Sequence, residues 1–157
     1  MPMSQNAIIF LLITGVVVLF AVGAMKRSAD ARHAERRFAV EIDAGDAGLQ
    51  VLARADALPF DGNAAAQTPT DLTPLPFSEG RALADARDLD DLHAMAPITI
   101  PAADGTAFRV EARVEYVDES DAAAARPTRR KRVTVAVAHP RLSEPLELAR
   151  TYAMETP

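Results

Sequence analysis

The N-terminal part of the chain changes abruptly from apolar to charged positions. Residues 7–25 (AIIFLLITGVVVLFAVGAM) contain no charged side chain, and Lys26 and Arg27 follow directly. At about 1.5 Å of rise per residue, a helix of this length just crosses a hydrocarbon core of roughly 30 Å. The pattern therefore predicts a transmembrane helix. The residues predicted to lie in the bilayer are Ala7, Ile8, Ile9, Phe10, Leu11, Leu12, Ile13, Val16, Val17, Val18, Leu19 and Phe20.

A cleavable signal peptide is the alternative interpretation of this segment. Such a peptide has a basic start, a shorter apolar region and small residues before the cleavage site. Here the run is preceded by the uncharged residues Ser4, Gln5 and Asn6, and it is long enough to span the bilayer. An uncleaved anchor is therefore favoured.

Charged residues follow the apolar run, yet no proline occurs between it and Pro59. Helix is therefore predicted to continue without a break to about residue 58. Within this stretch apolar and small residues recur at steps of four, three, four and three, which is the stripe of an amphipathic helix. The side chains predicted to form its packing face on the sheet are Phe38, Ile42, Leu49 and Leu52.

Strict alternation marks strands in the last third of the chain. Apolar and charged positions alternate over residues 108–116, and valines recur at every second position over residues 133–138. This period is typical of strands with one buried and one wet face. Leu146, Leu148 and Tyr152 indicate a third strand, and residues 98–100 a short edge strand. Because connections of about 15 and 8 residues are too short for crossover helices, the sheet is predicted to be an antiparallel meander.

Together these elements predict an α+β fold. A single N-terminal transmembrane helix is expected to continue into a long amphipathic helix packed on a three- to four-stranded antiparallel sheet. The predicted organisation is a membrane anchor (1–27), a helical extension (28–58), an irregular loop region (59–97) and the meander (98–157). Residues 28–157 are long enough to form one soluble domain with a modest core.

Composition narrows the possible functions. The chain has no cysteine, which excludes disulfides and thiolate chemistry, and its net charge of -5 argues against nucleic acid as the main partner. His33, His93 and His139 do not share a metal-ligand spacing. The serines lack a nucleophile elbow, and the glycines form no phosphate-binding loop. We therefore expect a non-enzymatic protein without a cofactor or a small-molecule substrate.

Two polar clusters are candidate binding sites. Asp85, Asp88, Asp90, Asp91 and His93 bring ligands that could hold a hard cation such as calcium, although they do not follow the EF-hand pattern. A solvated acidic loop is favoured, so that no metal site is predicted and Asp88, Asp90 and Asp91 are only weak candidates. The basic run 129–132 (RRKR) could bind a phosphate or a lipid headgroup, but a solvated turn is favoured.

The order of these features resembles type IV pilins and the related pseudopilins. The predicted helix ends in ALPFDG (57–62), an acidic DLDDLH stretch (88–93) precedes the sheet, and FRVEARVEYVD (108–118) is followed by RKRVTVAVAHP (130–140). This sequence of features is similar to minor pilins of the mannose-sensitive haemagglutinin type. The family's basic leader, its glycine cleavage site and its early glutamate are missing, since no glutamate occurs before Glu35.

The resemblance implies a non-enzymatic, membrane-anchored structural subunit of an envelope or appendage assembly. Its partners would be membrane lipid and other protein subunits, in a homo- or hetero-oligomer. The implied location is the inner membrane, crossed once, with the soluble domain in the periplasm or outside the cell.

Other interpretations stay open at this point. Lys26, Arg27, Arg32, Arg36 and Arg37 all follow the apolar run, and the positive-inside rule then favours a cytoplasmic domain that serves as a membrane scaffold. That rule applies chiefly to short loops, because long domains translocate largely regardless of charge. A small accessory subunit docked on a larger membrane complex is a further alternative.

Overall fold

The computed structural model describes residues 5–63, 68–72, 75, 80–103 and 105–154, and within the helix it describes side chains from Val17 onward except those of Ala29 and His33. The regular elements are α1 (Gln5–Asp56), β1 (Ile98–Pro101), β2 (Ala107–Tyr116), β3 (Arg130–Ala138) and β4 (Leu146–Ala153). Short 3-10 turns cover Pro69–Asp71, Leu83–Asp85 and Asp90–Leu92. The chain divides into two compact units, Met1–Ala39 and Val40–Pro157.

The four strands form one antiparallel sheet in the order β1-β2-β3-β4. Val110 of β2 lies opposite Ile98 of β1 on one side and Val137 of β3 on the other, and Val137 in turn lies opposite Leu146 of β4. The period of two therefore collects the apolar side chains on one face. The α+β class and the antiparallel sheet predicted from the sequence are confirmed.

Within the second unit, the helix packs on this apolar face through small side chains. Its buried residues are Val40, Ala44, Ala47, Val51, Leu52 and Ala55. A Cβ atom at Gly48 would lie only 2.6 Å from Cδ1 of Leu148 and 3.3 Å from Cγ2 of Val137. The backbone of α1 thus approaches the sheet more closely than a helix with large side chains could.

The predicted packing face was wrong for most of its members. Ile42 is 50% exposed and Leu49 is 49% exposed, whereas Leu52 is buried. Phe38, which belongs to the first unit, is 65% exposed. The prediction followed the largest side chains, but the close approach at Gly48 selects a neighbouring stripe that consists mainly of alanine and valine.

The prediction of a membrane anchor at residues 7–25 is also wrong. Across the described residues, no helix has the length and apolar character needed to span a bilayer. The inner-membrane location that rested on this anchor is corrected with it. The side chains at positions 7 to 16 lie outside the described residues.

An aspartate introduced into the buried stripe of α1 should destabilise the domain far more than one introduced into the exposed stripe. Val51→Asp places an unpaired charge in the core and is expected to destabilise the domain by several kcal/mol, because Val51 is fully buried. Ile42→Asp is expected to change the free energy of unfolding by less than about 1 kcal/mol, because its side chain already meets solvent. Urea unfolding of both variants measures the difference. Equal losses would contradict the assignment of the buried stripe.

Candidate functional site

The helix of the first unit exposes apolar side chains in every direction. Six large apolar side chains within residues 17–25 are more than half exposed, up to 74% for Leu19 and Phe20. Consecutive residues of an α-helix are rotated by about 100°, so these side chains point all around the helix axis. We call residues 17–25 the apolar segment. Its exposed large side chains are Val17, Val18, Leu19, Phe20, Val22 and Met25.

The acidic stretch before the sheet uses its carboxylates for contacts within the protein. Asp88 Oδ1 accepts the backbone N–H of Asp91 at 3.0 Å. Asp91 pairs with Arg81 and accepts the backbone N–H of Arg87 at 2.8 Å. Asp90 and Asp91 are both buried. The favoured interpretation of this stretch as a solvated loop was therefore wrong, because these side chains anchor it.

Asp88, Asp90 and Asp91 were also the weak metal candidates, and the structure separates them. Asp91 pairs with a guanidinium and Asp90 with an ammonium, while Asp88 caps a turn. Among the described residues, no group of three or more histidine, cysteine, aspartate or glutamate side chains could hold a metal ion.

A buried lysine joins three distant parts of the second unit. Lys131 lies on β3, is 0% exposed, and donates from Nζ to the backbone carbonyl of Phe60 at 2.7 Å and to Asp61 Oδ2 at 3.3 Å. Asp90 Oδ1 lies 2.6 Å from the same Nζ. The ammonium thus makes two hydrogen bonds, to Phe60 and Asp61, and an additional ion pair with Asp90. The contacts tie the residues after α1 and the acidic stretch to the sheet.

Two aromatic rings complete the surroundings of this ammonium. Nζ of Lys131 lies 4.4 Å from the ring centroid of Phe60 and 5.1 Å from that of Tyr116. The negative faces of the rings favour a cation at these distances. We call this group the Lys131 clamp. Its members are Lys131, Phe60, Asp61, Asp90 and Tyr116.

The clamp shifts the protonation of its acidic members. Burial raises the pKa of the Asp90 carboxyl to about 6, although the neighbouring ammonium of Lys131 acts in the opposite direction. Burial also raises the pKa of the Tyr116 hydroxyl, and the charges of Asp90, Asp61 and Asp88 add to this. No described donor other than the ammonium reaches the oxygens of Asp90.

The sequence pattern contained a signal for the clamp that the prediction missed. Lys131 has the same parity on β3 as Val133, Val135 and Val137, so it occupies a position on the core face. The prediction of a solvated turn for the basic run 129–132 is wrong for Lys131, which is buried. Arg130 donates to the carbonyl of Glu119 at 3.0 Å and Arg132 Nε donates to Glu115 Oε1 at 2.9 Å. Arg130, Lys131 and Arg132 therefore already have partners within the protein, which argues against the phosphate-binding alternative.

A second polar contact fixes the end of α1 on β4. Tyr152 donates its hydroxyl to Asp56 Oδ1 at 2.8 Å, and Arg150 pairs with Asp56 Oδ2. The hydrogen bond from Arg150, followed by that from Tyr152, holds the pKa of the Asp56 carboxyl below its usual range. A cavity of about 480 Å³ lies beside this end of the helix, between Leu58, Asp61 and Tyr152. The side chain of Asp61 is engaged in contacts with Lys131, and the hydroxyl of Tyr152 is engaged with Asp56.

His93, His139, Ser28 and Ser120 make local contacts. His93 Nδ1 accepts the backbone N–H of Val114 at 3.3 Å. His139 is buried, accepts the N–H of Arg141 at Nδ1, and contacts the hydroxyl of Thr106 with Nε2. Ser28 donates to a carbonyl of its own helix, and Ser120 donates to Asp118. Ser4, Ser78 and the side chain of His33 lie outside the described residues.

Removal of the clamp cation should be costly for folding. Lys131→Met keeps the length of the side chain but leaves Asp61 and Asp90 buried without their counterion, so a loss of about 3–5 kcal/mol is expected in urea unfolding. Adding Asp61→Asn and Asp90→Asn should restore part of it, because no uncompensated charge then remains.

The neighbouring Arg132→Met is the matched control for this variant. Its ion pair with Glu115 is partly exposed, so a loss of less than about 1 kcal/mol is expected. Similar losses for the two single variants would show that the clamp has no special weight.

Comparison of the chain with known protein families, with curated proteins and with solved structures gave no match. What is proposed below therefore rests on the burial, charge and contacts of the chain itself. The two features that carry it are the apolar segment of the first unit and the Lys131 clamp of the second.

Proposed function

We propose that the protein is a non-enzymatic structural subunit that assembles with other copies of itself through the apolar segment of α1. The single observation that carries this proposal is the exposure of large apolar side chains on all sides of that segment. Leu19 and Phe20 each leave 74% of their surface exposed. Removing such surface from water is the main favourable contribution to protein association.

The all-round distribution indicates how many partners the segment needs. A helix with one apolar stripe is covered by a single neighbour, whereas a helix that is apolar in every direction is usually buried on all sides. Identical segments can bury this surface, because the apolar side chains of each segment cover those of its neighbours. Several helices packed around one another therefore fit the segment better than a pair does.

Small residues within the segment favour close packing of such helices. Ala21, Gly23 and Ala24 interrupt the large side chains, and a Cβ atom at Gly23 would meet only the end of Arg27, at 4.0 Å. Neighbouring helices can thus approach the backbone there. The segment ends at Met25, and charged side chains begin at Lys26. This change in polarity limits the apolar contact to the segment.

The second unit is consistent with a structural subunit, because it is a folded domain with its own buried core. On this proposal the sheet of the second unit has no catalytic task. Its strands and the Lys131 clamp stabilise the domain that each subunit contributes to the assembly.

Sedimentation velocity on the full chain over a range of concentrations tests this proposal. Reversible oligomers larger than a dimer are expected. Phe20→Asp should weaken the association roughly 30-fold or more, because burial of a phenylalanine side chain contributes about 2 kcal/mol. Circular dichroism then checks that the variant keeps its fold.

The control is Ser28→Asp, a charge added at an exposed polar position of the same helix. It should leave the association nearly unchanged. A wild-type protein that sediments as a monomer at all concentrations would contradict the proposal, as would equal effects of the two variants.

A further inference from the structure

The Lys131 clamp contains more negative than positive charge. One buried ammonium stands between the carboxylates of Asp61 and Asp90, which are 4% exposed in their side chains. The carboxylate of Asp88 adds a further negative charge close to Asp90. Burial of uncompensated charge is unfavourable, and a buried acid avoids it by keeping its proton. The clamp is therefore best satisfied when one of its carboxyl groups is neutral.

The two carboxylates of the clamp are held differently. Asp61 Oδ1 accepts the backbone N–H of Asn63 at 2.8 Å, and its Oδ2 accepts from Lys131. Hydrogen bonds of this kind favour the ionised form. Asp90 has the ammonium on one side only, and no other described donor reaches its oxygens. Asp90 is thus the carboxyl group of the clamp that is more easily protonated.

We propose that the clamp is a pH-sensitive latch, in which protonation of Asp90 tightens the attachment of segment 81–95 to the sheet and ionisation of Asp90 loosens it. This inference does not depend on the proposed function. The pKa of about 6 places the transition in mildly acidic solution.

The segment has a defined set of attachments that such a latch would act upon. Leu89 donates its backbone N–H to the carbonyl of Pro59 at 3.1 Å, and Arg54 of α1 donates to the carbonyl of Ala86 at 3.0 Å. Leu89 and Leu92 lie in the hydrophobic core. Ionisation of Asp90 adds a buried negative charge beside Asp61 and Asp88, and these attachments then have to hold the segment against the cost of that charge.

The charged and titratable groups around Asp90 come from every element packed against it. Lys131 of β3 attracts the ionised form, whereas Asp61 after α1 and Asp88 in the preceding turn disfavour it. Tyr116 of β2 stays neutral, since burial raises its pKa. Asp91, next in the chain, is neutralised by Arg81.

His93 lies in the same segment, and its Nδ1 accepts the backbone N–H of Val114. Comparison of the wild type with an Asp90 variant at each pH isolates the effect of Asp90 from the effects of its neighbours.

The sign of the effect follows from proton linkage. The pKa of Asp90 is raised from 3.8 to about 6 in the folded protein, so the folded state binds more protons than the opened state between these values. The contribution of Asp90 is therefore fully present below pH 3.8 and is lost as the pH rises through 6. Between pH 7 and pH 5 the equilibrium constant for opening is expected to fall about tenfold on account of this group.

Native-state hydrogen exchange on the full chain tests the latch. The opening constants of the Leu89 and Leu92 amides, corrected for intrinsic exchange, are measured at pH 5 and pH 7 in the wild type and in Asp90→Asn, whose amide imitates the neutral acid. The ratio of variant to wild-type opening constants is expected to change about tenfold between the two pH values. Asp85→Asn, at an exposed position of the same segment, should leave the ratio constant.

Carbon-13 NMR of the wild-type carboxyl groups provides a readout that needs no variant. The Asp90 signal is expected to titrate with a midpoint near 6. Titration of Asp90 in the ordinary range of an aspartate would overturn the proposal even if Asp90→Asn failed to fold. A variant-to-wild-type ratio that does not depend on pH would overturn it as well.

Discussion

The buried ammonium of Lys131 is the interaction on which the architecture of the second unit depends. It holds the chain leaving α1 through Phe60 and Asp61, the acidic stretch through Asp90, and the sheet through its own strand. These segments have little regular structure of their own, and apolar burial is not directional. Contacts of one ammonium with acceptors in fixed positions do depend on direction. They thereby specify where the irregular region 59–97 meets the meander.

The two units of the chain differ in whether their apolar surface is buried within the unit. The second unit buries its apolar surface internally, because the small side chains of α1 allow the helix to lie close to β3 and β4. The first unit leaves large apolar side chains such as Leu19 and Phe20 uncovered. A stable folded domain joined to an uncovered apolar helix is the construction expected of a subunit whose remaining burial takes place on assembly.

Periodicity was sufficient to predict the sheet and its antiparallel order, because a period of two over residues 108–116 and 133–138 leaves no other arrangement with short connections. It did not identify the buried stripe of α1. Phe38, Ile42 and Leu49 are more hydrophobic than Ala44 and Ala47, but the distance between helix and sheet decides which stripe is buried, and that distance is a tertiary property. The clamp could have been found from the parity of Lys131 with three valines. Its partners Asp61 and Asp90 could not, since they come from irregular segments whose course no local pattern predicts.

We propose that copies of the chain meet through the apolar segment. Because the protein contains no cysteine, a single introduced thiol reports contacts between copies without interference. Phe20→Cys is expected to form a disulfide-linked dimer under mild oxidation, whereas Ser120→Cys, in an exposed loop of the second unit, should not. If Phe20→Cys stays monomeric, or if both variants cross-link to the same extent, the apolar segment is not the site of assembly.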